Sequence, residues 1–192
     1  MSNIFFISDT HFSHKSILKF ENRPFSTIEE MDEIMIENWN NTVSDNDIVY
    51  HLGDFCLSNQ SRHIEIIKRL KGKIILIKGN HDYSNAIKKI RPYLHDYYEV
   101  GHYFKTLKKQ FWLTHYPLEI GIRPRKYSIS GHIHSQPNKL INQLNVGVDS
   151  NLMLNVFKLK HGQPVSFEQL LNYIDKIEPV IEEKFLKERR DV

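Results

Sequence analysis

Apolar residues fall into three short unbroken runs in the first half of the chain, with helically spaced apolar positions between them. Asn3 to Ser8 has no polar alternation, the pattern of a strand covered on both faces, and it ends in Asp9-Thr10-His11. Ser26-Thr27-Ile28-Glu29-Glu30 supplies a capping box, and Ile28, Met31, Met35 and Trp39 then share one helical face to about Asn41. Asp47 to Leu52 reads as a second strand ending in Gly53-Asp54. Ser61 to Leu70 follows as a helix with Ile64, Ile67 and Leu70 inward, closed by Gly72. Lys73 to Lys78 is a third buried strand, ending in Gly79-Asn80-His81-Asp82. Three strands in turn deliver polar residues at their C-terminal ends, where open α/β sheets bind ligands.

Past Tyr97 the pattern changes to short strands without long helices, which predicts an antiparallel second half. Its strands are Tyr97 to Val100, Tyr103 to Leu107, Gln110 to Thr114, Tyr127 to Ser130, Ile141 to Val146 and Leu154 to Leu159. The last segment begins with Ser166 as N-cap and Gln169 as its box partner, and buries Phe167, Leu170, Leu171, Ile174 and Ile177 until Pro179 interrupts it. The expected organisation is one main domain over residues 1–165 and a helical extension over 166–192 packed on it.

Composition narrows the classes without choosing among them. The chain of 192 residues, 40% hydrophobic and 26% charged, suits one well-filled core. A single cysteine, Cys56, excludes an internal disulfide and reads as a buried thiol. No N-terminal basic segment with a long apolar run follows the pattern of secretion, and no apolar run is long enough for a bilayer, so a cytoplasmic protein without membrane insertion is expected. A net charge of +3 is spread along the chain, unlike the clustered Lys and Arg of a dedicated nucleic-acid binder, so stable nucleic-acid binding is not expected.

The strand ends carry the candidate chemistry. Asp9 and His11 lie two apart, so in extended backbone both side chains leave on one side and can reach one metal. Gly131-His132-Ile133-His134 repeats that spacing with two imidazoles, and His115 ends another strand. In Gly79-Asn80-His81-Asp82 the glycine permits a tight turn, and three side chains follow that can ligate, donate protons or orient.

Asp-x-His, Gly-Asp, Gly-Asn-His-Asp, a lone His and Gly-His-x-His, in this order from Ile4 to His134, resemble the motifs of the calcineurin-like metallophosphoesterases. The resemblance implies an α/β fold of two packed mixed β-sheets flanked by helices, an α/β/β/α sandwich with metals at the strand ends. It implies Asp9, His11 and His134 on one metal and Asn80, His115 and His132 on the other, with Asp54 bridging. The oxygen and nitrogen donors suit two divalent transition-metal ions among Mn, Fe, Zn and Ni. The implied function is a hydrolase of phosphate esters, phosphodiesterase or phosphatase, in which hydroxide held by the two metals attacks phosphorus. His81 is the implied general acid, oriented and charged by Asp82. A phosphate ester, including a nucleotide, is the implied partner. A non-catalytic metal-binding scaffold or protein-interaction module of the same fold is the alternative.

Weaker candidates surround this set. His14 is a substrate-phosphate contact or a first-turn helix residue, and Arg23, Arg123 and Arg125 are candidate cations for the substrate or ordinary surface charge. Asn145 and Asp149 shape a strand end, where Asp149 has the chemistry to hold a ligand histidine from behind.

Overall fold

In the computed structural model, which describes residues 2–57 and 60–190, the first apolar run becomes β1 (Ile4–Ile7). Its side chains divide between two cores, Phe5 and Ile7 on one face and Phe6 on the other. That two-sided burial is why the run carries no polar alternation. β2 (Ile48–His51), β3 (Lys73–Ile77) and β4 (Asp96–Tyr98) add to it in order, all parallel. The connections carry the short α1 (Ile17–Phe20), then α2 (Ile28–Asn40), α3 (Gln60–Arg69) and α4 (Ser84–Ile90). Met31, Met35, Ile36 and Trp39 of α2 and Ile66, Ile67 and Leu70 fill the first core. The start of α2 is capped as expected: Glu30 N–H donates to Thr27 Oγ1 at 3.1 Å, and Ser26 N–H to Glu30 Oε2 at 2.7 Å.

A second sheet holds β5 (Gly101–Thr106), β6 (Lys109–Thr114), β7 (Lys126–Ser130) and β8 (Gln143–Asn145). The expected antiparallel half is corrected here. Only β5 and β6 pair antiparallel; β6, β7 and β8 are parallel, because residues 115–125 form a connection long enough to carry the chain back to the starting edge. The segment at Tyr97 also belongs to the first sheet, as β4, not to the second. Leu154 to Leu159 is not a strand: Leu152–Val156 winds as a π-helical turn, with adjacent Leu152 and Met153 both buried, which a pleated strand does not allow.

β9 (Val165–Ser166) pairs antiparallel with β1 and leads into α5 (Phe167–Arg190). The predicted capping box forms, with Gln169 N–H on Ser166 Oγ at 3.1 Å and Ser166 N–H on Gln169 Oε1 at 3.0 Å. Leu170, Ile174 and Ile181 are fully buried in the second core. Pro179 does not end the helix as expected, because Ile177 before it and Ile181 beyond it lie four apart on the packed face and hold the winding across the missing N–H. Among the described residues no helix is long and apolar enough to cross a membrane.

The exposed Pro179 removes one backbone bond and leaves no cavity when replaced. Pro179→Ala is therefore expected to raise stability by about 1–3 kcal/mol, whereas Ile174→Ala lowers it by about 2–5 kcal/mol. Denaturant unfolding measures both; a Pro179→Ala midpoint at or below that of the parent chain would show that the last turns of α5 add nothing to the fold.

Candidate metal centre

Because β1, β2, β3, β6 and β7 all run the same way within their sheets, their C-terminal ends can meet at one rim. Backbone bonds lock that rim. Ser8 N–H donates to Val146 C=O at 3.0 Å and Val148 N–H to Ser8 C=O at 3.1 Å, tying β1 to the end of β8. Asp9 N–H reaches Gly53 C=O and His11 N–H reaches Asp54 C=O, each at 3.0 Å, and Gly131 N–H reaches His115 C=O at 3.0 Å.

The two-apart residues do not converge through extended backbone, as their spacing suggests. Asp9, His11, Asp54, His132 and His134 have φ of 55°, 48°, 56°, 68° and 48°, left-handed values that cost a non-glycine residue about 1–2 kcal/mol each. Two glycines are required by close approach. A Cβ on Gly79 would lie 2.2 Å from Asp54 Oδ1, and one on Gly131 would lie 2.0 Å from Ser8 Oγ and 2.2 Å from Asp9 Oδ2.

At the centre, Asp54 Oδ2 lies 3.4 Å from His11 Nε2 and 3.4 Å from His115 Nε2. Asn80 Oδ1 lies 2.9 Å from His115 Nε2 and 2.9 Å from His132 Nδ1. The donor atoms of Asp9, His11 and His134 lie within 4.8 Å of one another, as do those of Asp9, Asp54 and His115. His11 Nε2 is buried and makes no hydrogen bond, an orphaned donor that a cation would satisfy. These oxygen and imidazole donors, without thiolate, fit a divalent ion.

Burial shapes the charges. It pushes Asp9 up to about 6 and His11 down to about 4. Burial also opposes the charge on His115, but its hydrogen bond to Asp54 and the nearby Asp9 outweigh it and hold this imidazole at about 9. Asp54, which burial alone would raise, is held well below the carboxylate range by His11 and His115. A protonated imidazole thus faces a firmly anionic carboxylate, a polarity that a metal ion in the same position would reproduce.

Two further carboxylates frame this set. Asp149 accepts Arg23 Nε at 2.9 Å and Nη2 at 2.8 Å, and its Oδ2 is 3.0 Å from His134 Nδ1. The Arg23 guanidinium also donates to the carbonyls of Thr10 and Asp9, each at 2.7 Å, and its side chain is 0% exposed. Arg23 therefore is no solvent-facing substrate cation; it clamps the Asp9–Thr10 turn to Asp149. Asp82 also corrects expectation. Its carboxylate accepts Gly79 N–H at 2.8 Å, Asp54 N–H at 2.8 Å and Phe55 N–H at 2.9 Å, tying the Asp54 and Gly79 turns together instead of pairing with the His81 ring.

Arg123 and Arg125 precede β7 and lie at the end opposite His132, a strand length of roughly 16 Å away. Arg123 lies over Phe185 of α5, and Arg125 N–H donates to Glu178 Oε1 at 2.7 Å. His14 is brought to the cluster, its ring 5.2 Å from that of His11 and 6.3 Å from that of His81. His81 itself is half-buried, its ring 5.4 Å from that of His11. Asn145, by contrast, supports the turn behind the site, its amide donating to His134 C=O at 2.8 Å.

Sequence reasoning missed three residues. His51 Nε2 sits 2.9 Å from Thr10 Oγ1 beneath the first turn, lowered to about 3 by burial. His161 stands 3.7 Å from Asp149, and Glu21 forms a potential donor group with His134 and Asp149. None of the three stands in a motif; only the polar character of His51 inside an apolar strand was a usable signal.

Comparison with known proteins adds an independent line. A family model described as calcineurin-like phosphoesterase matches residues 2–188. An uncharacterized protein of Methanocaldococcus jannaschii is 54% identical over 84 residues, 43% of this chain and 48% of that protein. The gene 66 protein of Mycobacterium phage L5 is 33% identical over 85 residues, 43% of this chain and 41% of that one. The chain spans less than half the length of these curated relatives. A solved protein of unknown function from Aquifex aeolicus shares the fold, with a TM-score of 0.68 at 24% identity over 90% of this chain and 100% of that one.

Replacing Asp82 by Ala would leave three buried N–H groups without an acceptor. At about 1–3 kcal/mol each, the loss should reach at least about 3 kcal/mol, measured by unfolding in the presence of a chelator. A loss below about 1 kcal/mol would mean that the Asp54 and Gly79 turns hold their shape without this carboxylate.

Proposed function

The chain belongs to the calcineurin-like phosphoesterase family, and from that premise we infer that it hydrolyses phosphate esters with a pair of divalent metal ions. Asp9, His11 and His134 would hold one ion, Asn80, His115 and His132 the other, and Asp54 both. The observation that carries this reading is the equal 3.4 Å separation of Asp54 Oδ2 from His11 Nε2 and His115 Nε2, one oxygen equidistant from two imidazole donors that follow strands of different sheets. Such ions, when bound, supply Lewis-acid charge to phosphoryl oxygens and acidify water. Mn, Fe, Zn and Ni all suit these donors.

The remaining work falls to residues that do not ligate. The His81 backbone N–H donates to Asp54 Oδ1 at 2.8 Å, which fixes its loop against the Asp54 carboxylate. Its half-buried side chain is left to carry a proton to the departing oxygen of the ester. His14, beside both His11 and His81, would contact a phosphoryl oxygen from the same side. Arg23 and Asp149 keep His134 and the Asp9 turn oriented. The substrate is a phosphate ester, a nucleotide among them.

Purified protein loaded with Mn²⁺ is expected to contain two ions per chain and to hydrolyse an aryl phosphate monoester or diester. Asp54→Ala should lose both ions, while His11→Ala or His132→Ala weakens one; elemental analysis decides, and full retention of both ions in Asp54→Ala would sink the bridging role.

His81→Ala should keep both ions yet lose roughly 10²–10⁴-fold in turnover. The loss should be larger for an alkyl ester than for one whose leaving oxygen has a low pKa. Equal losses on the two esters would assign His81 to charge stabilisation instead of proton transfer.

A further inference from the structure

His132 is a wall shared by two spaces. Its Nδ1 faces Asn80 at 2.9 Å inside the ligand cluster. The Tyr116 ring packs against the His132 ring at 4.3 Å between centroids and against the His115 ring at 5.2 Å, and Tyr116 and His132 line a cavity of about 270 Å³ together with Pro117, Ile133 and Pro137. Tyr116 directly follows His115, and its carbonyl accepts the Thr114 hydroxyl at 2.6 Å, which fixes the backbone that presents the ring. The residue is nevertheless 53% exposed. The two charged residues of the lining, Lys139 and Glu119, pair with each other at 2.6 Å. Gln143, at the base, spends its amide on Leu118 C=O and Leu140 N–H.

The space therefore offers flat and apolar surface, no net charge and few free polar groups, directly beside the donors that would take a phosphoryl group. The Lys139 ammonium of the lining is already paired with Glu119, so a second phosphate is a poor occupant. The volume falls just below the roughly 300–1,000 Å³ of pockets that take whole drug-sized ligands. It suits one ring system, stacked on an aromatic face.

We propose that the Tyr116 cavity is the subsite for the organic group of the substrate, and that the protein selects phosphate esters carrying a single uncharged planar ring, aryl or nucleobase. Because the walls stack and do not read hydrogen bonds, the selection is for flatness, with little preference among ring identities. This rests on the phosphoesterase reading of the neighbouring centre.

The test compares phenyl phosphate with glycerol 2-phosphate on Mn²⁺-loaded protein. The parent chain should favour phenyl phosphate in kcat/KM, and Tyr116→Ala should reduce that ratio about tenfold, by raising KM for the aryl ester. Tyr116→Phe should restore the preference, because the ring and not the hydroxyl makes the contact. A second variant at an exposed position guards against misfolding: Glu119→Lys turns the paired rim cationic and should raise the preference for 4-carboxyphenyl phosphate over phenyl phosphate several-fold. Ratios unchanged in both Tyr116→Ala and Glu119→Lys would overturn the subsite. Calorimetric binding of phenylphosphonate against methylphosphonate separates the two readings. If no ester is turned over but the phenyl preference in binding vanishes in Tyr116→Ala, the phosphoesterase reading fails and the subsite stands. If esters are turned over with no ring preference in either assay, the subsite alone fails.

Discussion

The joint between Ser8 and the Val146–Val148 segment is the constraint on which the molecule depends. β1 belongs to one sheet and β8 to the other, yet the backbone bonds at this point make their ends neighbours. Once they are joined, the parallel sense of β1, β2 and β3 and of β6 and β7 forces all their C-terminal ends to the same edge. Donors that are far apart in sequence then need only short turns to meet. An antiparallel second sheet would have placed His115 and His132 at opposite edges, so the long connection before β7 is the topological condition for a shared centre.

Those short turns are costly, and the surrounding structure shows what holds them. Five of the candidate ligand residues adopt left-handed backbone that their side chains disfavour. Three buried groups offset that cost. Asp82 gathers the N–H groups of the Asp54 and Gly79 turns, Arg23 gathers the carbonyls of Asp9 and Thr10, and Asp149 neutralises Arg23 while orienting His134. Burying Arg23 and Asp149 together is tolerable because every polar contact on the pair is occupied; losing one partner would leave a buried charge, a change that typically costs about 3–5 kcal/mol.

What the sequence made legible follows the reach of each physical signal. Strands β1 and β3 were legible because burial on both faces leaves unbroken apolar runs, β2 because only His51 interrupts its apolar residues, and α2 because its cap and apolar face are local. The motif residues at the strand ends were legible because spacing and residue type are both local. The sense of β7 was not, since pairing direction depends on a connection whose length says little about its course. The contacts of Arg23 and Asp82 were not legible for one reason: apart from Gly79, the backbone groups they bind lie 13 to 28 positions away, and backbone partners leave no mark in sequence. Pro179 misled because the packing of Ile177 and Ile181 overrides a local stop signal.

The donors that converge at the rim are spread from Asp9 to His134, with Asp149 behind them. No partly folded chain brings them together, so an ion with affinity for this set recognises only the completed structure. Its binding free energy then adds to folding, about 2.7 kcal/mol when free ion exceeds the dissociation constant a hundredfold. Under scarcity that contribution fades, the population of open chains rises, and proteases find more of them. The lifetime of the polypeptide would in this way track the ion supply of its surroundings, and copies would be removed in proportion to how poorly they can be loaded.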